Sequence, residues 1–374
     1  MKKIFPLISF SLLILCSCKK TDDGTAVIKG AALTFPAPGN VTLNGAVFSC
    51  NSSIDLSNGI YTYGFCYSLT RNPVIPGLAT GAENYAAGSF SAMLTNIEFG
   101  KTYYIRAFVT NGIATSYSSI DSFAVPLFIH TDTVKNISAR SFDVHIYTLP
   151  AIADSITERG VCFDTLTKPD ITDLKNISAV LDTGNILLHV NDTLRPGKIY
   201  YLRSYFIANG RAVYGNEVNF KTAGYKGTYG YIIFDKVDTT NGWRYIEAAL
   251  DTITATNVIW GCSDRDVQGT LTGTGTGLEN STAIIASCSD TLAAAAICRN
   301  LTLKAKTDWY LPSVDELKAL YELKVSGVIS KTYLLFSSSQ ASVNNCYVVD
   351  FSSGQQQQII KSSSAALVWP VRRY

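Results

Sequence analysis

Gly100-Lys101-Thr102-Tyr103-Tyr104-Ile105-Arg106 and Gly197-Lys198-Ile199-Tyr200-Tyr201-Leu202-Arg203 are nearly the same strand written twice, 97 positions apart. Around them more pairs fall into step. Tyr63-Gly64-Phe65-Cys66-Tyr67 returns as Arg159-Gly160-Val161-Cys162-Phe163, and Pro73-Val74-Ile75 as Pro169-Asp170-Ile171. Asn111-Gly112 matches Asn209-Gly210, Tyr117 matches Tyr214, and Phe123 matches Phe220. Self-similarity at a near-constant spacing marks a duplicated folding unit, here of nearly 100 residues. Within each unit, apolar residues alternate with polar ones. Val41, Leu43, Gly45 and Val47 do so in the first copy, and Phe142, Val144 and Ile146 in the second. Period two with one buried face predicts strands. Tyr104, Arg106 and Phe108 would project to one face, Tyr103, Ile105 and Ala107 to the other. The Asn-Gly pairs suit the positive φ angles of a tight hairpin turn.

Strand, Asn-Gly turn and strand near the end of an all-β unit resemble the last hairpin of a fibronectin type III or immunoglobulin-like sandwich. The Gly-x-Cys and Gly-Lys-x-Tyr-Tyr-x-Arg strands are similar to the Ig-like modules of secreted Bacteroidota proteins. The resemblance implies sandwiches over 26–126 and 127–222 that act mainly as spacers. Cys66 and Cys162 hold equivalent positions, so each is read as a small buried hydrophobe. Composition agrees with a multidomain β protein. The chain has 374 residues, 47% hydrophobic and 16% charged, with 21 Tyr and 17 Phe. That length suggests two or three domains. The 31 basic against 29 acidic side chains exclude the cationic footprint of a nucleic-acid binder. The same balance, with this apolar content, excludes a largely disordered chain.

The N-terminus carries an address. Lys2 and Lys3 precede an apolar run, Ile4 to Leu15, too short to span a bilayer and typical of a secretory signal. Leu15-Cys16-Ser17-Cys18 resembles a bacterial lipobox, which implies a signal peptide over 1–17 and a lipidated Cys18. Two or more acyl chains give stable anchoring, so the membrane is the first expected partner. Residues 18–25, with Lys19-Lys20-Thr21-Asp22-Asp23-Gly24, look like the hydrophilic tether of Bacteroidota lipoproteins. The expected location is the outer membrane, on its periplasmic or cell-surface side. Asp132-Thr133-Val134, Asp154-Ser155-Ile156, Asp164-Thr165-Leu166, Asp192-Thr193-Leu194, Asp238-Thr239-Thr240, Asp251-Thr252-Ile253 and Asp290-Thr291-Leu292 resemble the O-glycosylation motif of that lineage.

After Ala223-Gly224 the pattern changes. Strands are predicted at Thr228–Phe234, Trp243–Ala249, Tyr333–Ser337, Cys346–Phe351 and Leu367–Val371. A helix is predicted across Ser281–Leu301. Ser313 with Glu316 three residues on forms a capping box, and Leu317, Leu320, Tyr321 and Leu323 give the next helix an apolar stripe. Gly273-Thr274-Gly275-Thr276-Gly277 reads as a flexible surface loop, and Gln355–Gln358 as a polar loop or hairpin tip. Asp308-Trp309-Tyr310-Leu311-Pro312-Ser313 with Asp315-Glu316-Leu317, Phe336-Ser337-Ser338-Ser339, Tyr347–Gly354 and Trp369-Pro370-Val371-Arg372 are similar to the Lcl C-terminal domain family. That resemblance covers 223–374 and implies an α+β, C-type lectin-like fold that binds glycan or matrix. The fold class expected of the whole chain is therefore multidomain: two all-β sandwiches followed by an α+β domain. The calcium-sugar signature of true C-type lectins is missing, and residues 223–374 hold 13 Lys/Arg and 13 Asp/Glu. A polar ridge of Ser337, Ser338, Ser339, Asn344 and Asn345 is the expected ligand-binding face. Lys361, Arg372 and Arg373 read as a solvated strand edge, with a local basic patch as the alternative.

Catalysis is not expected. The only histidines, His130, His145 and His189, lie in the second sandwich and far apart in sequence. That leaves no local Ser-His-Asp or Cys-His set and no His-based zinc site. No catalytic residue, cofactor or metal ligand is assigned. Cys262 and Cys288 are disulfide candidates, since an exported compartment permits a bridge worth ~3 kcal/mol in the loop-entropy model. Cys298 reads as core. The reading is thus a lipid-anchored envelope protein presenting a lectin-like binding head on β-sandwich spacers, with glycan, matrix or an envelope protein as ligand. A second reading makes it a structural or assembly subunit docked to another envelope protein. A remote third is a catalyst similar to formylglycine-generating enzymes, which share the lectin-like fold.

Overall fold

The computed structural model describes residues 32–34, 41–57, 59–82, 84–150, 156–191, 193–253 and 255–374. The signal, Cys18 and the tether lie outside the described residues, as do Asp154, Ser155 and Asp192 of the Asp-Ser/Thr motifs. Among the described residues no helix is long and apolar enough to cross a membrane.

The first sandwich holds β1 (Leu33–Thr34), β2 (Val41–Thr42), β3 (Gly45–Ser52), β4 (Thr62–Ser68), β5 (Ala79–Gly81), β6 (Ser89–Leu94), β7 (Thr102–Thr110), β8 (Thr115–Tyr117) and β9 (Asp121–Ala124). In one sheet β3 pairs with β1 and β2 on one side and β6 on the other; the second sheet runs β5-β4-β7 and ends in β8 and β9. The second sandwich holds β10 (Ile129–Lys135), β11 (Phe142–Thr148), β12 (Ile156–Asp164), β13 (Leu174–Ile177), β14 (Gly184–Val190), β15 (Ile199–Ala208) and β16 (Arg211–Lys221). Its sheets are β10-β11-β14 and β13-β12-β15-β16, all antiparallel. Three strands facing four, in this order, is the plan of a fibronectin type III or Ig-like module.

The repeated residues turn out to be the ones that hold each sandwich. Tyr103 Oη accepts the Glu98 N–H and Tyr200 Oη the Arg195 N–H, each at 3.1 Å. These are tyrosine corners, which lock the chain as it enters the long strand. The Arg106 guanidinium lies 3.8 Å from the Tyr117 ring centre, and Arg203 lies 4.3 Å from that of Tyr214. Both phenols accept a backbone N–H, from Ile75 and Ile171, at 3.2 Å. Gly64 and Gly160 permit close strand approach: a Cβ there would sit 2.1 Å from Thr80 O and 2.2 Å from Asn176 O. Phe48, Phe65 and Phe123 pack the first core, and Phe142, Phe163, Tyr200 and Phe220 the second. Each such ring contributes about 1.5–3 kcal/mol of burial. Cys50, Cys66 and Cys162 are fully buried among them.

The α+β region contains β17 (Gly230–Asp235), β18 (Tyr245–Ala249), α1 (Gly277–Ser287), α2 (Ala294–Arg299), α3 (Val314–Val325), β19 (Leu334–Gln340), β20 (Asn345–Asp350), β21 (Gln356–Ile360) and β22 (Val371–Arg373). Sheet β17-β18-β22 joins the first strands to the last, and β19-β20-β21 forms the second sheet. The α3 capping box is complete, with Glu316 N–H donating to Ser313 Oγ at 3.3 Å and Ser313 N–H to Glu316 Oε2 at 2.9 Å. Leu317, Leu320 and Leu323 face the core with Trp309, Trp369 and Phe351. Two sequence expectations fail here. Ser281–Leu301 is two helices, because Cys288 is extended and Ala293 is held by a parallel bridge to Ile259. Gln355–Gln358 is largely strand β21, paired in register with β20.

The chain divides into two compact units, one ending at Pro126 and one running from Leu127 to Tyr374. The second sandwich and the α+β region therefore share a unit, and the second sandwich is not a free spacer. Ile137 and Asp235 exchange two backbone hydrogen bonds of 2.8 Å, extending β17 with a residue from the β10–β11 loop. Ala139 enters the α+β core. Ser138 Oγ and the Arg140 N–H donate to Glu322 Oε2 of α3, at 2.5 and 3.0 Å. The connecting segment is zipped on both sides: Ala223 N–H donates to Ser138 O, and Gly224 N–H to Ile232 O.

Candidate functional site

The expected serine ridge is internal. Ser337, Ser338 and Ser339 are buried. Ser337 Oγ donates to Tyr347 O and Ser339 Oγ to Leu271 O, both at 2.8 Å, while Ser338 Oγ accepts from Asn280 Nδ2 at 3.1 Å. These hydroxyls replace water for backbone carbonyls inside the domain and cannot face a ligand. Asn344 is exposed and Asn345 half-buried, at the turn between β19 and β20.

The basic patch is also absent from the surface. Lys361 is buried; its Nζ donates to Arg265 O at 2.7 Å and Gln340 Oε1 at 2.6 Å, and burial pulls its pKa down. Arg372 is buried between Asp308, at 2.8 Å, and Glu247, at 3.3 Å. Arg373 is spent on Glu279 and Gly275 O. The glycine loop is anchored as well. Gly275 N–H donates to Glu316 Oε1 at 2.9 Å and Asp315 N–H to Thr272 O at 3.0 Å. Burial pushes the Glu316 carboxyl up to about 7, against the pull of the Ser313, Gly275 and Gly277 N–H groups.

Cys262 and Cys288 are bonded, S–S 2.06 Å, and staple the segment before α1 to the end of that helix. Cys50, Cys66, Cys162, Cys298 and Cys346 are free and buried. Burial pushes the thiols of Cys50, Cys162 and Cys346 up to about 12, so they stay protonated and poorly nucleophilic. His130, His145 and His189 are exposed strand residues on β10, β11 and β14. His189 contacts Asp143 across the strand pair. No group of three or more His, Cys, Asp or Glu side chains converges as metal ligands among the described residues.

A cleft of about 550 Å³ opens at the seam of the second unit. Asn136, Ser138, Ser141, His189 and Asn191 line it from the sandwich; Phe234, Lys236, Trp243, Thr274, Asp315, Lys318 and Glu322 line it from the α+β side. Cavities between domains are common binding sites. One wall is the Lys236–Trp243 loop, where Val237 sits at φ 75° and Asn241 at φ 61°. A β-branched residue at positive φ is strained and persists only where its surroundings hold it. Here Val237 N–H donates to Asp235 Oδ1 at 2.8 Å, and that carboxylate also takes two bonds from Arg244, at 2.8 and 3.0 Å. The Lys236 ammonium lies 4.4 Å over the Trp243 ring. At the floor, burial raises the Glu322 pKa while the Ser138 hydroxyl and Arg140 N–H pull against it. Amides, hydroxyls and both charge signs converge here. That suits recognition of a polar ligand. Nothing in the sequence pointed to this site, because its two walls come from separate modules.

No family model matches the chain, and no curated protein matches it. Among solved structures it is similar to the FN1–FN3 domains of chicken CNTN1, with 12% identity over 52% of this chain and 69% of that one, TM-score 0.19. It is also similar to the selenomethionine-substituted chicken interferon gamma receptor alpha chain, with 13% identity over 50% of this chain and 99% of that one, TM-score 0.21. The fibronectin type III/Ig-like character of both sandwiches rests on their strand order and tyrosine corners.

Proposed function

We propose that this chain is a lipid-anchored cell-envelope protein whose α+β domain is a lectin-like binding head for glycan or matrix. The observation that carries the reading is the seam cleft, where a strained loop and two amide side chains line a polar cavity between the head and its sandwich. Pairing of the head's first strands with its last supports a lectin-like plan, since it leaves the segment between them to form a separate, disulfide-stapled layer. The lipobox at Leu15–Cys18 supports the anchor. The test is glycan-array and matrix-protein binding by the whole chain, with and without calcium. Binding reduced ~10-fold or more by Asn191→Ala is the expected result, the loss of one well-made polar contact being worth about 1.4 kcal/mol. No ligand on either surface, or binding indifferent to Asn191, removes the reading.

A second reading, docking to another envelope protein, is favoured by Leu78 and Leu174. They occupy the same place beside the outer edge strand of each sandwich, and both are exposed. Repeated exposed apolar residues suit a protein partner better than a sugar.

A further inference from the structure

Three of the four sheet edges in the α+β domain are covered. β17 is closed by Ile137 and the Gly224–Tyr225 segment, β22 by Tyr310, and β19 by Leu367 and Pro312. β21 is the exception. Asp350 N–H donates to Gln355 O and Lys361 N–H to Asn344 O, which fixes the alternation of the β20–β21 ladder. Residues 355, 357, 359 and 361 turn their backbone groups toward β20, so Gln356, Gln358 and Ile360 turn theirs outward. Among the described residues, the only backbone bond to that outer side is Ser363 N–H to Ile360 O. The strand carries no charge, proline or bulge, and Gln356, Gln357, Gln358 and Ile360 are exposed. Proteins normally blunt such an edge with lysine, proline or a kink.

We infer that β21 is a self-association edge, occupied by β21 of a second copy running antiparallel. The outward set is symmetric about Gln358. A two-fold axis there pairs Gln358 with its counterpart and Gln356 with Ile360, and the same residues serve both chains, as an isologous contact requires. Neutrality at the centre fits a second copy, because a charge at position 358 would face its like across the axis. Glutamine amides both donate and accept, so like side chains can bond to one another. A five-residue strand buries less than a standard interface, which predicts a weak dimer, Kd ~0.1–1 mM.

The inference is independent of the head's ligand. Gln358→Cys in the whole chain, oxidised at high concentration, should give a disulfide-linked dimer, since directly paired Cα atoms lie ~5.5 Å apart, within bridging range. Gln357→Cys should not, because its counterpart is only a diagonal neighbour. Gln358→Lys should abolish the concentration-dependent dimer in sedimentation. Equal cross-linking at both positions, no dimer from Gln358→Cys, or sedimentation unchanged by Gln358→Lys each overturns the inference. Gln358 is exposed, so an unchanged near-ultraviolet spectrum separates lost pairing from lost fold.

Discussion

The two sandwiches follow one plan, and the difference with most consequence is a single loop. In the first, β2 and β3 meet in a tight turn, Thr42 pairing with Gly45. In the second, the equivalent connection runs from Asn136 to Ser141 and enters the neighbouring domain through Ile137, Ser138 and Ala139. The tyrosine corner, the arginine stacked on tyrosine and the close-approach glycine are kept in both. Duplication thus preserved what makes a sandwich stand. Six residues between two strands decided whether it would also pack into the neighbouring α+β domain.

The largest effect should come from what the copies share. Gly64→Ala and Gly160→Ala each drive a Cβ into a backbone carbonyl that cannot step aside. Each should cost ~2–4 kcal/mol, seen as faster hydrogen exchange confined to the mutated copy. Equal loosening of both copies would mean the sandwiches are not separate folding units. Next comes the loop they do not share. Glu322→Ala leaves the Ser138 hydroxyl and Arg140 N–H without their acceptor. About 2 kcal/mol should be lost, with amides 136–141 deprotected and the first sandwich untouched. The same carboxyl makes the seam pH-sensitive. Its folded pKa is raised by burial, so the stability it contributes is greatest below the unfolded value and falls as pH rises through the folded one. Glu322→Gln should flatten that part of a denaturation-versus-pH curve; an unchanged slope would show the carboxyl is not responsible. The smallest effect is the corner. Tyr103→Phe and Tyr200→Phe should each cost ~1 kcal/mol, and unequal costs in chemical denaturation would reveal support from the α+β domain in the second copy.

The sandwiches were legible because duplication wrote each key residue twice, at a spacing that chance does not maintain. The α3 cap was legible because Ser313 and Glu316 satisfy one another locally. The serines at 337–339 were misread for the opposite reason. Their partners, Leu271 O, Asn280 and Tyr347 O, lie 10 to 68 residues away, so nothing near them in sequence says they are satisfied inside. β21 was missed because three successive glutamines offer no apolar contrast, and period two is invisible without it. The helix break at Cys288 depended on a covalent bond and a bridge to Ile259, neither of them a local signal.

The shared strand pairing at Ile137 and Asp235 bears on how this protein would fail. A protease cutting between residues 222 and 223 would release a fragment whose β17 has lost its pairing with Ile137 and whose core has lost Ala139. Such a fragment would carry unpaired backbone at Asp235 in addition to the open edge of β21, a template for clumping. Safe removal of the end of this chain therefore takes the second sandwich with it.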